Sequence, residues 1–210
     1  MKRIGLFCGC FDPIHNGHIR AAENFLDKAC LECVYLVPAN ASYCRRMESG
    51  KHRLEMCRLA AKGHAGIQVC DFEICLPQTP YTADTVAFFA GQFPGAEICL
   101  CMGEDTAETV PYWACFQTLK ECVRFLVVSR YDRYPGAKRL QQSGADVLYL
   151  RCEKDGISST AIRKKLISGE ENIPELNENV FCYIRENALY GRHTEQEGEK
   201  VYETDAHQNP

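Results

Sequence analysis

The chain has 210 residues, 46% hydrophobic and 25% charged, with a formal net charge of −4. Those values bound it to one ordinary globular domain, with or without a small appendage, and exclude a chain disordered throughout. The acidic balance argues against a nucleic-acid partner and no apolar run reaches membrane-spanning length, so the expectation is a cytoplasmic protein that does not engage a membrane.

Residues 3–8 read as a first strand. The segment starts basic but lacks the long apolar core and small-residue cleavage site of a secretory signal. A helix is expected over 17–29, where Ile19, Ala22, Phe25, Leu26 and Ala29 share one stripe. Residues 33–38 form the second strand. A helix over 51–62 follows, carrying Leu54, Cys57 and Ala61, with the stem of Arg58 lying along the same face. A strand at 67–73, a helix at 82–92, a strand at 97–102 and a helix at 111–121 continue the alternation. Strands at 123–129 and 146–151 complete it. Beyond residue 156 only helices are expected, at 159–168 and 177–187, and from about residue 192 the chain is polar and acidic.

Short apolar strands rich in Val, Ile, Leu and Cys, alternating with helices, predict an α/β fold. The expected form is a Rossmann-like, doubly wound parallel sheet with C-terminal helices. Residues 1–191 form its domain and 192–210 a disordered or loosely packed tail. Ligands in such sheets bind beyond the carboxyl ends of the strands, at a switch point.

The 14 cysteines sit within apolar runs. Cys99 and Cys101 are two apart in a strand, share a face and read as small core fillers. Cys30 and Cys33 form a Cys-x-x-Cys with no second pair at zinc-ribbon spacing. Reduced, mostly buried thiols are expected. A metal- or redox-binding module is the rival reading.

The first strand ends in Gly9, then Asp12-Pro13, then His15 and His18 at the opening of a helix. Gly9 permits close backbone approach to a ligand, and Pro13 stiffens the loop. The N-terminus of the following helix is a natural anion site. Two imidazoles three residues apart can donate to phosphate oxygens; half a zinc site or two surface residues are the plainer readings. Later, Ser158, Ser159 or Thr160 can cap a helix in which Arg163 presents a bidentate fork to phosphate. An ordinary capped helix with solvent-facing bases is the alternative. Thr82 can cap the helix at 82–92, with Asp84 in its first turn.

Gly9-Cys10-Phe11-Asp12-Pro13-Ile14-His15-Asn16-Gly17-His18 resembles the signature of the HxGH nucleotidyltransferase superfamily, and most closely that of its bacterial nicotinate-nucleotide adenylyltransferases. Their usual form is Gly-Gly-Thr-Phe-Asp-Pro-Ile-His-x-Gly-His. Cys8 stands in place of a Gly, and Cys10 in place of a Thr or Ser. Ile157-Ser-Ser-Thr-Ala-Ile-Arg163 is similar to the second signature, Ile-Ser-Ser-Thr-x-Ile-Arg. Tyr81-Thr82-Ala83-Asp84-Thr85 resembles a Tyr-Thr-x-Asp-Thr segment, and Met102-Gly103-Glu104-Asp105 a Gly-Ala-Asp turn. A Pro-Pro-His-Lys loop common in the family is absent, and Arg45 or Arg46 could supply its cation. Residues 53–56, Arg-Leu-Glu-Met, and the closing segment 180–190 also resemble family helices, so the likeness spans about residues 1–191.

The resemblance implies adenylyl transfer from ATP to nicotinate mononucleotide, giving deamido-NAD and pyrophosphate, with Mg²⁺ accompanying ATP. It assigns His15, His18 and Arg163 to catalysis. ATP is assigned to Gly9, Cys10, Phe11, His15, Gly17, His18, Gly103, Asp105, Ile157, Ser158, Ser159, Thr160 and Arg163. The second substrate falls to Asp12, Arg45, Arg46, Tyr81, Thr82, Thr85 and Trp113, the last stacking on the pyridine ring or simply packing a helix. The alternatives are a superfamily transferase acting on nicotinamide mononucleotide or another phosphorylated substrate, and a non-catalytic nucleotide-binding regulatory domain. An assembly of identical subunits stays open.

Overall fold

The structure is a computed structural model that describes residues 2–40, 47–129, 134–152 and 156–191. Arg45, Arg46 and the tail from residue 192 lie outside them. In chain order the elements are β1 (Arg3–Gly9), α1 (Asn16–Lys28), β2 (Cys33–Pro38), α2 (Gly50–Ala61) and β3 (Ile67–Val69). They continue with α3 (Thr82–Gln92), β4 (Glu97–Gly103), α4 (Glu104–Thr109), a 3-10 turn (Val110–Tyr112) and α5 (Phe116–Cys122). The chain closes with β5 (Arg124–Ser129), α6 (Pro135–Gln142), β6 (Val147–Arg151), α7 (Ser159–Ile167) and α8 (Glu178–Glu186).

All pairings are parallel, in the order β3-β2-β1-β4-β5-β6. This is the expected doubly wound sheet, and its switch point lies between β1 and β4. Each face has its own core. On one, Ile19, Ala22 and Phe25 of α1, Met56 and Cys57 of α2, Ile162 of α7 and Ile184 of α8 are buried. On the other, Val86 and Phe89 of α3, Phe116 of α5 and Leu140 of α6 are buried. Strand alternation divides β4 between them: Cys99 and Cys101 face the first core, and Ile98, Leu100 and Met102 the second. Fully burying a side chain such as Phe25 stabilises the fold by about 1.5–3 kcal/mol. The thiols are less uniformly buried than expected, because Cys10, Cys30, Cys75, Cys122 and Cys182 are exposed.

Four elements depart from the sequence expectation. β3 ends at Val69, and Glu73 sits in the turns beyond it. The helix expected over 111–121 is broken, since Pro111 has no amide for a helix interior and takes the start of the 3-10 turn instead. α4 and α6 were not anticipated: at six and eight residues they are too short for a sustained periodic signal.

α6 crosses α4 closely enough to require glycine at 136. A Cβ there would lie 2.7 Å from the Glu104 carbonyl oxygen and 2.8 Å from the Glu108 nitrogen. Gly136→Ala is therefore expected to destabilise the fold by about 1–3 kcal/mol through overpacking. Urea unfolding checks it, and an unchanged midpoint would show that the helices can part without cost.

Candidate active site

β1 ends at Gly9 and the adjacent β4 at Gly103. The chain leaves one strand for α1 and the other for α4, on opposite faces, which opens a crevice between them. The crevice is bounded on one side by the loop from Cys10 to His15. Phe11 adopts a left-handed backbone at φ 48 and tucks its ring edge-on to Phe7 at 5.5 Å and to His18 at 5.1 Å. The need for glycine at position 9 is clearance: a Cβ there would come 3.1 Å from the Phe11 ring. The Asp12–Pro13 peptide is cis.

His15 is the N-cap of α1, and its backbone amide donates to His18 Nδ1 at 3.2 Å. An accepting Nδ1 leaves the proton of a neutral His18 imidazole on Nε2, ready to donate. The two rings stack at 3.7 Å, with His15 buried and His18 half-buried. The helix terminus offers fewer free amides than its sequence suggests. Asn16 N–H donates to the Glu175 carbonyl at 2.9 Å and His18 N–H to the His15 carbonyl at 2.8 Å.

The second motif is fastened onto the first. Ser158 caps α7, accepting from the Ala161 amide at 3.2 Å. The Ser159 hydroxyl donates to the Pro13 carbonyl at 3.0 Å. Arg163 Nη1 donates to the Asp12 carbonyl at 2.6 Å, and Nη2 to the Thr160 hydroxyl at 3.3 Å. Ile157 is buried in the first core, and Thr160 is exposed. The histidine loop and the arginine helix, far apart in sequence, are thus one hydrogen-bonded unit.

Asp12 lies beneath this loop at 3% exposure. Its Oδ1 accepts from the Glu48 amide and from the Tyr190 hydroxyl. The carboxylate expected to face a second substrate is therefore a buried junction of chain segments. Arg53 is another such junction, and its role was not read from the sequence. At 3% exposure it donates to the carbonyls of Cys10 at 2.7 Å, Ala39 at 2.8 Å and Glu48 at 3.1 Å. The Arg-Leu-Glu-Met segment was the only signal for it.

On the other side of the crevice, Tyr81 is the N-cap of α3 and is half exposed. Its amide donates to the Asp84 carboxylate at 2.9 Å, so Asp84 supplies the cap expected from Thr82. Thr85 is fully buried, and its hydroxyl donates to Glu73 Oε1 at 2.8 Å. Its side chain is turned into the fold. Glu73 also accepts from the Asn40 amide at 3.3 Å. Gly103 faces open space, Asp105 is exposed, and Glu104 caps α6 by accepting from the Ala137 amide at 3.2 Å. Trp113 follows the 3-10 turn and is partly buried against the second core.

Burial raises the Glu73 carboxyl above its ordinary value of 4.5, against its two hydrogen bonds and the Arg53 charge. The folded state then holds this proton more tightly than the unfolded chain. Its contribution to stability is full below the unfolded value and is lost as pH rises through the raised folded value. Melts of the parent and Glu73→Gln from about pH 4 to about pH 8 should show the parent losing Tm relative to the variant as pH rises. Parallel curves would contradict this. Burial pushes the Cys99 thiol up to about 11 and that of the half-buried Cys8 well above the ordinary thiol range.

Crevice, helix terminus and arginine helix together define a nucleotide-binding α/β protein. A model of the cytidylyltransferase-like family matches residues 6–165. A probable nicotinate-nucleotide adenylyltransferase of Methylacidiphilum infernorum is 34% identical, over 90% of this chain and 92% of its own. A protein of the same description from Shouchella clausii is 33% identical, over 93% and 100%. The chain belongs to the cytidylyltransferase-like family, and within it to the nicotinate-nucleotide adenylyltransferases. The Plasmodium falciparum nicotinic acid mononucleotide adenylyltransferase complexed with NaAD has the same fold, with a TM-score of 0.76 at 18% identity, covering 90% of this chain and 98% of that one. Among the described residues no helix is long and apolar enough to cross a membrane.

Proposed function

We propose that the chain transfers the adenylyl group of ATP to nicotinate mononucleotide, with residues 1–191 as the catalytic unit in the cytoplasm. An oxygen of the mononucleotide phosphate attacks the α-phosphorus. The bond to the bridging oxygen breaks, and its electron pair leaves with pyrophosphate, giving deamido-NAD. The nucleophile is already ionised at neutral pH, so alignment and charge neutralisation suffice and no protein base is needed. His18 donates from Nε2 to the phosphate oxygens, His15 supports it from the stacked position, and Arg163 neutralises the leaving group.

The ATP phosphates lie along Gly9, Cys10, Phe11 and Gly17, with Gly103 and Asp105 toward the ribose and the Ile157 to Thr160 turn closing over them. Tyr81, Thr82 and Trp113 take the mononucleotide, with Arg45 or Arg46 as its cation. Thr85 acts there through Glu73, and Asp12 through the loop it supports. Among the described residues no cluster of three or more His, Cys, Asp or Glu could hold a metal. Mg²⁺ would enter together with ATP. Bound there, it would neutralise triphosphate charge.

The observation that carries this reading is the pair of hydrogen bonds from Ser159 and Arg163 to the Pro13 and Asp12 carbonyls. They bring the expected leaving-group cation to the histidine loop. Pyrophosphate release is the test, with ATP and, in parallel, nicotinate mononucleotide, nicotinamide mononucleotide or phosphopantetheine. Release is expected with nicotinate mononucleotide foremost. Absence of release with all three would leave the regulatory, non-catalytic reading.

A further inference from the structure

Asp12 receives two hydrogen bonds on one carboxylate oxygen, and one comes from the far end of the domain. The Tyr190 hydroxyl donates to Oδ1 at 2.7 Å, and the Glu48 amide donates to the same atom at 3.2 Å. Oδ2 is left toward Arg163, whose Nη1 stands 3.9 Å from it. That nitrogen is 2.6 Å from the Asp12 carbonyl oxygen, so the guanidinium is held by backbone and only loosely by the carboxylate. Tyr190 is itself held in place: its amide donates to Glu48 Oε1 at 2.9 Å, and the residue is 7% exposed. Its backbone lies at φ 56, and that of Ala188 at φ 50. Two left-handed non-glycine residues so close together persist only where the surroundings require them. The turn they make swings the phenol under the loop. Burial and the adjacent Asp12 charge push the phenol well above its ordinary value, so it remains a donor at working pH.

We propose that Tyr190 is a positioning residue for the adenylyl transfer: by occupying Asp12 Oδ1 it keeps the carboxylate from closing on Arg163, whose guanidinium then stays available to the triphosphate. Tyr190 touches no substrate, and the assignment rests on the reading of Arg163 as the triphosphate clamp. Without the hydroxyl, Oδ1 keeps one weaker donor. The carboxylate can then turn onto its nearest cation, and Asp12 competes with ATP for Arg163.

Steady-state pyrophosphate release by the full chain tests this, using Tyr190→Phe, Arg163→Ala and the double variant. Tyr190→Phe should lower kcat/KM for ATP on the order of tenfold, less than the loss of a direct donor, and leave KM for nicotinate mononucleotide unchanged. In the Arg163→Ala background it should cost nothing further. Leu119→Val, a core change in α5 on the other face of the sheet, serves as a destabilised control with unaltered kcat/KM. An equal loss in both backgrounds, or a lowered Tm with unchanged kcat/KM for ATP, overturns the proposal. The ¹⁵N resonances of the Arg163 guanidinium read the same contact without substrate, and slower side-chain rotation is expected in Tyr190→Phe. Unchanged resonances overturn the positioning even in an active enzyme. Changed resonances in a protein that releases no pyrophosphate support the positioning and overturn the enzymatic role of Arg163.

Discussion

His18→Ala is expected to lower turnover in adenylyl transfer by about 10²–10³, the range for removing one preorganised donor from a developing charge. Three features place this residue above its neighbours. Its Nδ1 is occupied by the His15 amide, which assigns the donor role to Nε2. Its ring is wedged between His15 at 3.7 Å and Phe11 at 5.1 Å, so little reorganisation is needed when charge appears. It is also half-buried at the helix start, where the dipole adds to the same field. The fold should tolerate the change, which deprives the His15 amide of an acceptor at a cost of roughly 1–3 kcal/mol. The measurement is kcat for pyrophosphate release beside a melting curve. Unchanged turnover in a folded His18→Ala protein would remove His18 from the mechanism.

Arg53→Met carries the largest expected effect on stability. Removing the guanidinium leaves three carbonyls, of Cys10, Ala39 and Glu48, without the donor they share. Each buried carbonyl left unsatisfied costs about 1–3 kcal/mol, so the three together are a large part of the 5–15 kcal/mol typical of a domain. Arg53→Lys should recover little of it, since a single ammonium cannot reach carbonyls arranged for a planar fork. The loss should also loosen the loop at Cys10, so activity per folded molecule falls with stability. Urea unfolding of both variants decides the matter, and a loss below about 1 kcal/mol would show that water replaces the guanidinium.

At position 10 a cysteine stands where the family carries a hydroxyl. Cys10 is exposed, and what the fold takes from this position is its carbonyl, as an acceptor for Arg53. Cys8 is turned against the second core, with Glu73 and Cys70 as its electrostatic neighbours. With cysteine at both positions, His18 still accepts from the His15 amide and Arg163 still donates to the Asp12 carbonyl.

Much was legible because short-range physics carried it. Alternating apolar runs and stripes marked all six strands and most helices, and their alternation implied a parallel doubly wound sheet. The β1-to-α1 turn, with its glycine and two histidines, is a local motif whose geometry follows from a few adjacent residues. The boundaries that shifted did so where local signals were weak, as at the eight-residue α6, or contradictory, as at Pro111 within an apolar stretch.

By itself the sequence determined the fold class and the pair of motifs, since both depend on periodicity, capping and spacing within a few residues. Only the tertiary structure decided what the polar residues between them do. Asp12 joins chain segments as a buried acceptor, Thr85 turns inward to Glu73, and Glu104 caps α6. Arg53 and Tyr190 emerged as supports of the site. Each of these roles is a hydrogen bond to a partner distant along the chain. A donor's type is written in the sequence, but its partner is chosen only when folding brings two buried groups together and excludes the water that would otherwise satisfy both.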